Sequence, residues 1–282
     1  DTKYKIGQGY HYGLEFEEAI KYYEEYKSQL EANPTYLGTD KIPLSDVERR
    51  IEECNNGIKF IANPKNFSIT NLGSTVNSEY DEYGPVISED GDLMIFTSRR
   101  KEGNTSQNVD LDNKPFEDVF YATLEDNEWT EARNIGASIN TEFHDSNLSL
   151  SADGKKLFVY VDDNNGDIMV SDKQEDGSWS EPYSIGDNIN SINYKESSVS
   201  LSPDGNVLYF SSNRPGGYGG TDIYYSQKDK KGKWKRAKNV GPKINTKYND
   251  DGPFVHFSGQ FLYFSSQGRN SMGGYDVFVS KF

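Results

Sequence analysis

VSLSPDGNVLYFSSNRPGGYGGTDIYYS, residues 199–226, alternates small polar with branched residues up to Ser202, then turns at Pro203-Asp204-Gly205. It resumes as VLYFSS, passes through a Gly-rich stretch, and ends in a third apolar run opened by Asp222. Alternating β-branched and aromatic runs bounded by Gly, Pro and Asp read as strands, and Asp-Gly suits a hairpin turn that needs positive φ. The stretch therefore encodes three consecutive strands joined by one tight turn and one longer loop.

The same order occurs four times. The strand-turn-strand element returns as VISEDGDLMIFTS from Val86, LSLSADGKKLFVY from Leu148 and VHFSGQFLYFSS from Val255. An Asp opens the third strand in DVFYA, DIMVS, DIYYS and DVFVS, at Asp118, Asp167, Asp222 and Asp276. Trp129, Trp179 and Trp234 open a fourth strand, which runs toward NIGASIN, SIGDNIN and NVGPKIN, with NLGSTVN preceding the first copy. Repeats of about 40 to 60 residues, each with four short strands, are the pattern of β-propeller blades. The expected fold is mainly β, a propeller of four-stranded antiparallel blades with four visible here and five an open alternative. Each Trp is expected at an equivalent position, wedged between neighbouring blades.

The first part of the chain differs. GLEFEEAIKYYEEYKSQL spaces Phe16, Ala19, Ile20, Tyr23, Tyr26, Lys27 and Leu30 at steps of three and four, one face of a helix. Pro34 and Gly38 break it, and a second helix is expected from SDVE, where Ser45 and Glu48 have capping-box spacing. Val47, Ile51, Cys54 and Ile58 form its apolar stripe. The domain reading is a TPR-like helical segment over residues 1–66 and a propeller over 67–282. One hairpin and a partial helix are too short for a superhelical peptide groove, so a docking or capping role is expected.

Composition narrows the function. The chain has 282 residues, 30 basic and 45 acidic, for a net charge of -15. Nucleic acid and anionic lipid surfaces, both held by Lys and Arg, are disfavoured. The basic run from Lys228 to Lys238 reads as a solvated hairpin turn. Low hydrophobicity would suit a disordered chain, but 20 Tyr and 15 Phe supply the burial that such chains lack. Cys54 is the only cysteine, so no internal disulfide forms; on a helix stripe it reads as a small core residue. No stretch approaches the ~20 apolar residues of a membrane span.

The residues quoted resemble the TolB-type propeller repeat, also called the PD repeat. The order of a TPR-like helix pair, then YGPVISEDGDLMIFTSRR, then blades ending in GGYD, is similar to PorE-like proteins of the Bacteroidota. That resemblance implies a periplasmic, outer-membrane-associated protein of the OmpA-family envelope group, an accessory of type IX secretion and gliding. Its partners would be other envelope proteins, outer-membrane or secretion-machinery components, with peptidoglycan reached only through an OmpA-type domain that these residues do not contain.

Candidate chemistry is sparse. His11, His144 and His256 lie in different blocks, none in a nucleophile motif. DDNNGD at 162–167 partly resembles a calcium loop, making Asp162, Asp163, Asn165 and Asp167 metal candidates; the bidentate Glu at the twelfth position is missing. Asp118, Asp167, Asp222 and Asp276 admit a ring-of-carboxylates reading, but an Asp recurring once per blade reads better as the solution of one recurring turn. The Gly-rich loops at 214–222 and 268–276 do not lead from strand into helix and so do not cradle phosphate. No catalytic residue and no cofactor is expected. The leading function is a non-enzymatic interaction and scaffold protein. The alternatives are a glycan or small-ligand binder and a propeller hydrolase or lyase. The interface is expected at the longest insertion, residues 101–117, or at the helical segment. Residues 67–73 are expected to form an outermost strand, either sealing a four-bladed ring against 276–281 or completing a blade from sequence beyond Phe282.

Overall fold

The computed structural model describes residues 2–36, 38–66, 68–161 and 166–282. These fall into two compact units, one formed by residues 1–69 with 266–276, the other by 70–265 with 277–282.

The first unit holds three helices, α1 (Thr2–Tyr12), α2 (Phe16–Ala32) and α3 (Leu44–Ala62). The face read from the periodicity of α2 is its buried face: Phe16, Ala19, Tyr23, Tyr26 and Leu30 pack with Tyr4, Val47 and Cys54. Gly57 lets α3 approach closely, because a Cβ there would lie 2.4 Å from the Phe16 ring. Burial pushes the Cys54 thiol up to about 12, as suits an inert core residue. The capping box at Ser45 does not form. The helix begins a residue earlier, behind Pro43, and the Ser45 hydroxyl turns to Asp46 instead. Alongside its apolar stripe α3 buries a polar one that periodicity alone does not show. Arg49 donates to Glu53 at 3.0 Å and to the carbonyl of Gln267, and Asn56 donates to the carbonyl of Ser271 at 3.1 Å. With His11 at 2.9 Å from the Met272 carbonyl, these side chains hold the loop 266–276 within the helical unit.

The second unit is a four-bladed β-propeller. Blade 1 comprises β1 (Glu82–Ile87), β2 (Leu93–Ser98) and β3 (Asp118–Glu125), with the two-residue strands β4 (Glu128–Trp129) and β5 (Arg133–Asn134) both on β3. Blade 2 comprises β6 (Ser146–Leu150), β7 (Lys156–Val161), β8 (Asp167–Asp172) and β9 (Tyr183–Ser184). Blade 3 comprises β10 (Glu196–Leu201), β11 (Val207–Ser212), β12 (Asp222–Gln227) and β13 (Lys238–Asn239). Blade 4 comprises β14 (Asp250–Val255), β15 (Phe261–Ser266) and β16 (Asp276–Lys281). Each sheet is an antiparallel meander in chain order. The first strands lie innermost and are stitched by side chains: Asn147 donates to the Gly84 carbonyl at 2.8 Å, and the Ser200 hydroxyl accepts the Val255 amide at 2.9 Å.

The Trp residues are equivalent. Trp129 pairs with Leu124, Trp179 with Lys173 and Trp234 with Lys228, the same step after the opening Asp each time. Trp179 is buried among Ile95 and Val119 of blade 1 and Leu157 and Val159 of blade 2, a wedge between blades. The fourth strand itself is interrupted beyond the Trp. In blade 2 the Ser171 hydroxyl takes the Ser180 carbonyl at 2.6 Å, and in blade 3 Ser226 takes that of Lys235 at 2.5 Å, replacing ladder bonds.

The Gly-x-x-hydrophobic-Asn motif is a joint between blades. Gly136, Gly186 and Gly241 have φ of 114°, 98° and 94°, the left-handed region where a Cβ is strained. The turn they allow aims Asn140, Asn190 and Asn245 at the residue after the strand-opening Asp. Asn140 donates to the Val119 carbonyl at 2.9 Å and accepts its amide at 2.8 Å; Asn190 treats Ile168, and Asn245 treats Ile223, in the same way. Residues 71–77 fold into the same turn, with Gly73 at φ 80° and Val76 buried against Phe96 and Phe120. The outermost strand expected over 67–73 is not formed by 68–73, its described part, and the blade-4 sheet has three strands.

Candidate functional site

An antiparallel meander puts its connections alternately at two ends, so the propeller has two chemically different faces. One carries the tight turns at 88–92, 125–128, 151–155, 173–178, 202–206, 228–233 and 257–260. Their polar side chains are spent inside the turns, as where the Asp153 carboxylate accepts the Ser151 hydroxyl at 2.6 Å and the Lys155 amide at 3.1 Å. The basic run opens with such a turn, with the Asp229 amide on the Lys233 carbonyl at 2.8 Å and Lys228 over the Trp234 ring. The opposite face carries the longer loops 99–117, 141–145, 191–195 and 213–221. Three bonds fix the strand entries there: Asp145 amide to Glu117 carbonyl at 2.9 Å, Glu196 to Gly166 at 3.1 Å and Asp250 to Thr221 at 2.8 Å. Some exposed large apolar side chains lie on strands, among them Ile87, Tyr183, Phe254 and Val277, but the connections themselves differ. None lies in the turns, whereas Val109, Leu111, Phe143, Ile192 and Tyr218 all lie in the loops.

The insertion 101–117 is built on one buried guanidinium. Arg99 donates to both carboxylate oxygens of Asp112, at 2.8 and 3.0 Å, and to the Pro115 carbonyl at 2.8 Å. The Lys114 amide, together with the Arg99 guanidinium, holds the Asp112 carboxyl below its ordinary range. A bridge between Val109 and Pro115 closes a short hairpin whose tip presents Leu111, 100% exposed, between Asp110 and Asp112. The base is fastened to blade 2. Phe116 stacks on His144 at 3.9 Å, Glu117 meets the His144 ring nitrogen Nδ1, and the Ser106 hydroxyl reaches the Glu142 carbonyl at 3.1 Å.

Three of the repeated Asp residues serve the loop ahead of their third strand. Asp118 Oδ2 accepts the Thr105 amide at 2.6 Å and Asn134 Nδ2 at 2.8 Å; Asp222 Oδ2 accepts the Tyr218 amide at 2.6 Å; Asp276 Oδ2 accepts the Met272 amide at 3.0 Å. Burial pushes the carboxyls of Asp118 and Asp222 up. Among the metal candidates, Asp162, Asp163 and Asn165 lie outside the described residues, and Asp167 opens β8. No group of three or more His, Cys, Asp or Glu with metal-holding geometry occurs among the described residues.

The histidines are dispersed. His11 belongs to the helical unit, His144 to the insertion base, and His256 to a turn where it accepts the Ser258 amide at 3.1 Å. Near the axis Ser198 donates to Asp251 at 2.6 Å, with Ser197 at 3.2 Å, and no His lies on the four inner strands.

Two ion pairs escape the sequence reading. Arg100 and Arg214 follow the second strands of blades 1 and 3 and reach Glu82 at 3.3 Å and Glu196 at 2.8 Å. Each also donates to the carbonyl of its joint hydrophobe, Val76 or Ile189, and lies over two rings: Phe96 and Phe120 in blade 1, Phe210 and Tyr224 in blade 3. The recurring Arg in TSRR and SSNR was the available signal. Burial raises the carboxyl of Glu196 against the pull of Arg214; at Glu82 burial is outweighed by Ser78, Ser98 and Arg100, and the carboxyl is lowered.

No family model and no curated protein matches the chain. Solved structures similar in fold include a TolB from Acinetobacter baumannii, at 15% identity and TM-score 0.47, over 86% of this chain and 58% of that one. A TolB from Agrobacterium tumefaciens follows at 18% identity and TM-score 0.44, over 69% of this chain and 59% of that one. The periplasmic gluconolactonase PpgL of Pseudomonas aeruginosa shares 13% identity at TM-score 0.37, over 70% of this chain and 56% of that one. The chain thus spans 58% and 59% of the length of the two TolB structures. No described helix is long and apolar enough to cross a membrane.

Proposed function

We propose that the protein is a non-enzymatic interaction module whose loop face binds partner proteins. The observation that carries this reading is that, among the connections, exposed large apolar side chains occur in the loops and not in the turns, with Leu111 raised fully into solvent on a hairpin fixed by Arg99. An apolar side chain kept exposed on a rigid loop loses little conformational freedom on docking, which favours its use as a contact. The sequence resemblance to PorE-like proteins supports a periplasmic setting and partners among outer-membrane or secretion-machinery components.

The test is capture from envelope extract with the purified chain. Leu111→Ser should lower recovery of the specific partner about fivefold or more while leaving the unfolding midpoint unchanged. Recovery unaffected by Leu111→Ser, Phe143→Ser and Tyr218→Ser together would contradict the reading. Deleting the whole insertion is a poorer test, because it strips Arg99, 8% exposed, of Asp112 and two carbonyl acceptors and so destabilises blade 1.

A further inference from the structure

Blades 1 and 3 each enclose an arginine slot, and blade 2 has the same slot without the arginine. The register makes the correspondence explicit. The ring pairs under the guanidinium are the facing residues Phe96 and Phe120 in blade 1, and Phe210 and Tyr224 in blade 3. The facing pair at that place in blade 2 is Val159 and Met169. The acid that receives the guanidinium is Glu82 in blade 1 and Glu196 in blade 3, held by the Ser78 and Ser191 amides at 2.9 Å each. Its counterpart is Asp145, whose Oδ2 accepts the Thr141 amide at 2.6 Å and the Thr141 hydroxyl at 3.0 Å. The carbonyl that caps the guanidinium is that of Val76 or Ile189, and its counterpart is that of Ile139. Two residues past the second strand, where blades 1 and 3 have Arg100 and Arg214, the sequence of blade 2 has Asp163, outside the described residues.

Among the described residues, the place of that side chain is a groove of about 600 Å³. Ile139, Asp145, Val159, Tyr160, Met169 and Glu181 line it. Smaller side chains at 159 and 169 widen the slot, and the two carboxylates give it negative charge. Asp145 has no Lys or Arg ion pair among the described residues; the nearby Lys195 lies over the Tyr160 ring at 5.5 Å instead. The one His beside it, His144, is engaged by Glu117.

We infer that the blade-2 groove binds an arginine side chain supplied by a partner, seated as Arg214 is seated in blade 3. The guanidinium would meet the Asp145 carboxylate and the Ile139 carbonyl, with its stem along Val159 and Met169. Guanidinium is favoured over ammonium because the sibling slots use its planar fork to reach an acid, a carbonyl and a ring at once. Burial pushes the Asp145 carboxyl up to about 6 against the Thr141 bonds, with the charge of Asp118 adding to the rise, and an entering cation relieves that strain. This inference rests on the loop face being a partner-binding face and names the chemistry of one contact on it.

The experiment is a proton–nitrogen NMR titration of the purified chain with Ac-Gly-Arg-Gly-NH2, with the Lys and Gln peptides alongside. Shifts should concentrate at residues 139–146, 159–161 and 169, with affinity about millimolar for so small a ligand. The Lys peptide should bind more weakly and the Gln peptide not at all. Asp145→Asn should weaken the Arg peptide at least tenfold. Met169→Phe restores a ring beneath the guanidinium and should tighten it threefold or more. Absence of localised shifts, equal response to Gln, or an unchanged affinity in Asp145→Asn overturns the inference. Should Asp145→Asn fail to fold, Met169→Phe decides alone, and unchanged or weaker binding overturns it. A negative titration with capture still dependent on Leu111 removes the slot and leaves the proposed function standing; loss of both removes both.

Discussion

Blades 2 and 3 share one backbone plan and spend the same position in opposite ways. In blade 3 the slot between inner and third strands is filled from within, and Glu196, fully buried, has Arg214 as its partner. In blade 2 the described residues leave a groove at that place, its acid is shorter, and its floor is aliphatic. The comparison separates what the repeat needs from what it leaves free. The blade needs its Asn joint and its strand-opening Asp, which recur in both. It does not need the arginine, and a position released from a structural duty inside a loop face is available for contact with another molecule.

The largest effect should come from breaking blade 3. Arg214→Ala leaves Glu196 buried with only the Ser212 hydroxyl and the Ser191 amide as donors. Removing one partner of a buried ion pair costs about 3–5 kcal/mol. Urea unfolding at neutral pH should show a loss of that size; a loss below about 1 kcal/mol would mean that the slot is wet in both blades. The double variant Arg214→Met with Glu196→Gln should recover most of it.

The next effect tests the joints. Asn245→Ala removes a donor and an acceptor from the buried Ile223 backbone, at a cost of about 2–3 kcal/mol. Asn77→Ala, in the first copy of the motif, loses a bond to Asn71 alone and should cost under about 0.5 kcal/mol by the same denaturation. Equal costs would show that the motif acts through its own turn and not as a clamp between blades.

Asp145 supplies a smaller, pH-dependent effect. Its carboxyl titrates near 6 in the folded chain against an ordinary value of 3.8. The folded state therefore holds the proton more tightly than the unfolded one, and this group's contribution to stability is full below pH 4 and is lost as pH rises through 6. Asp145→Asn should flatten the decline of stability between pH 4 and 6 and raise stability at pH 8 by about 1–2 kcal/mol. A steeper decline in the variant would place the driving group elsewhere.

Much of this architecture was legible before any coordinates. The joint glycines, the Asp-Gly turns and the Asp before each third strand are local solutions that must be repeated in every blade, so repetition exposes them. The equivalent Trp positions were visible for the same reason, although Trp129 packs within blade 1 rather than between blades. The exceptions have a common cause: each depends on what lies across space. Residues 68–73 read as a strand from their pattern, yet a strand exists only beside a partner. Ser45 has capping spacing, yet Pro43 starts the helix ahead of it. The buried stripe of Arg49, Glu53 and Asn56 meets loop carbonyls more than two hundred residues away. The insertion was noticed by its length; that Arg99 is its organising group follows only from the geometry. The slot of blade 2 was invisible for a further reason: that Val159, Met169 and Asp145 stand where blades 1 and 3 place two rings and a Glu is known only once the register is.

The central claim is that partners meet the loop face and not the turn face. A photo-crosslinking residue placed at Leu111 on the loop face, and in a second protein at Asp204 in the Ser202–Asn206 turn, tests it in envelope extract, with each protein's unfolding midpoint compared with that of the parent. The account predicts a discrete crosslinked species from position 111 and none from position 204. Crosslinking from 204 with none from 111 would contradict it.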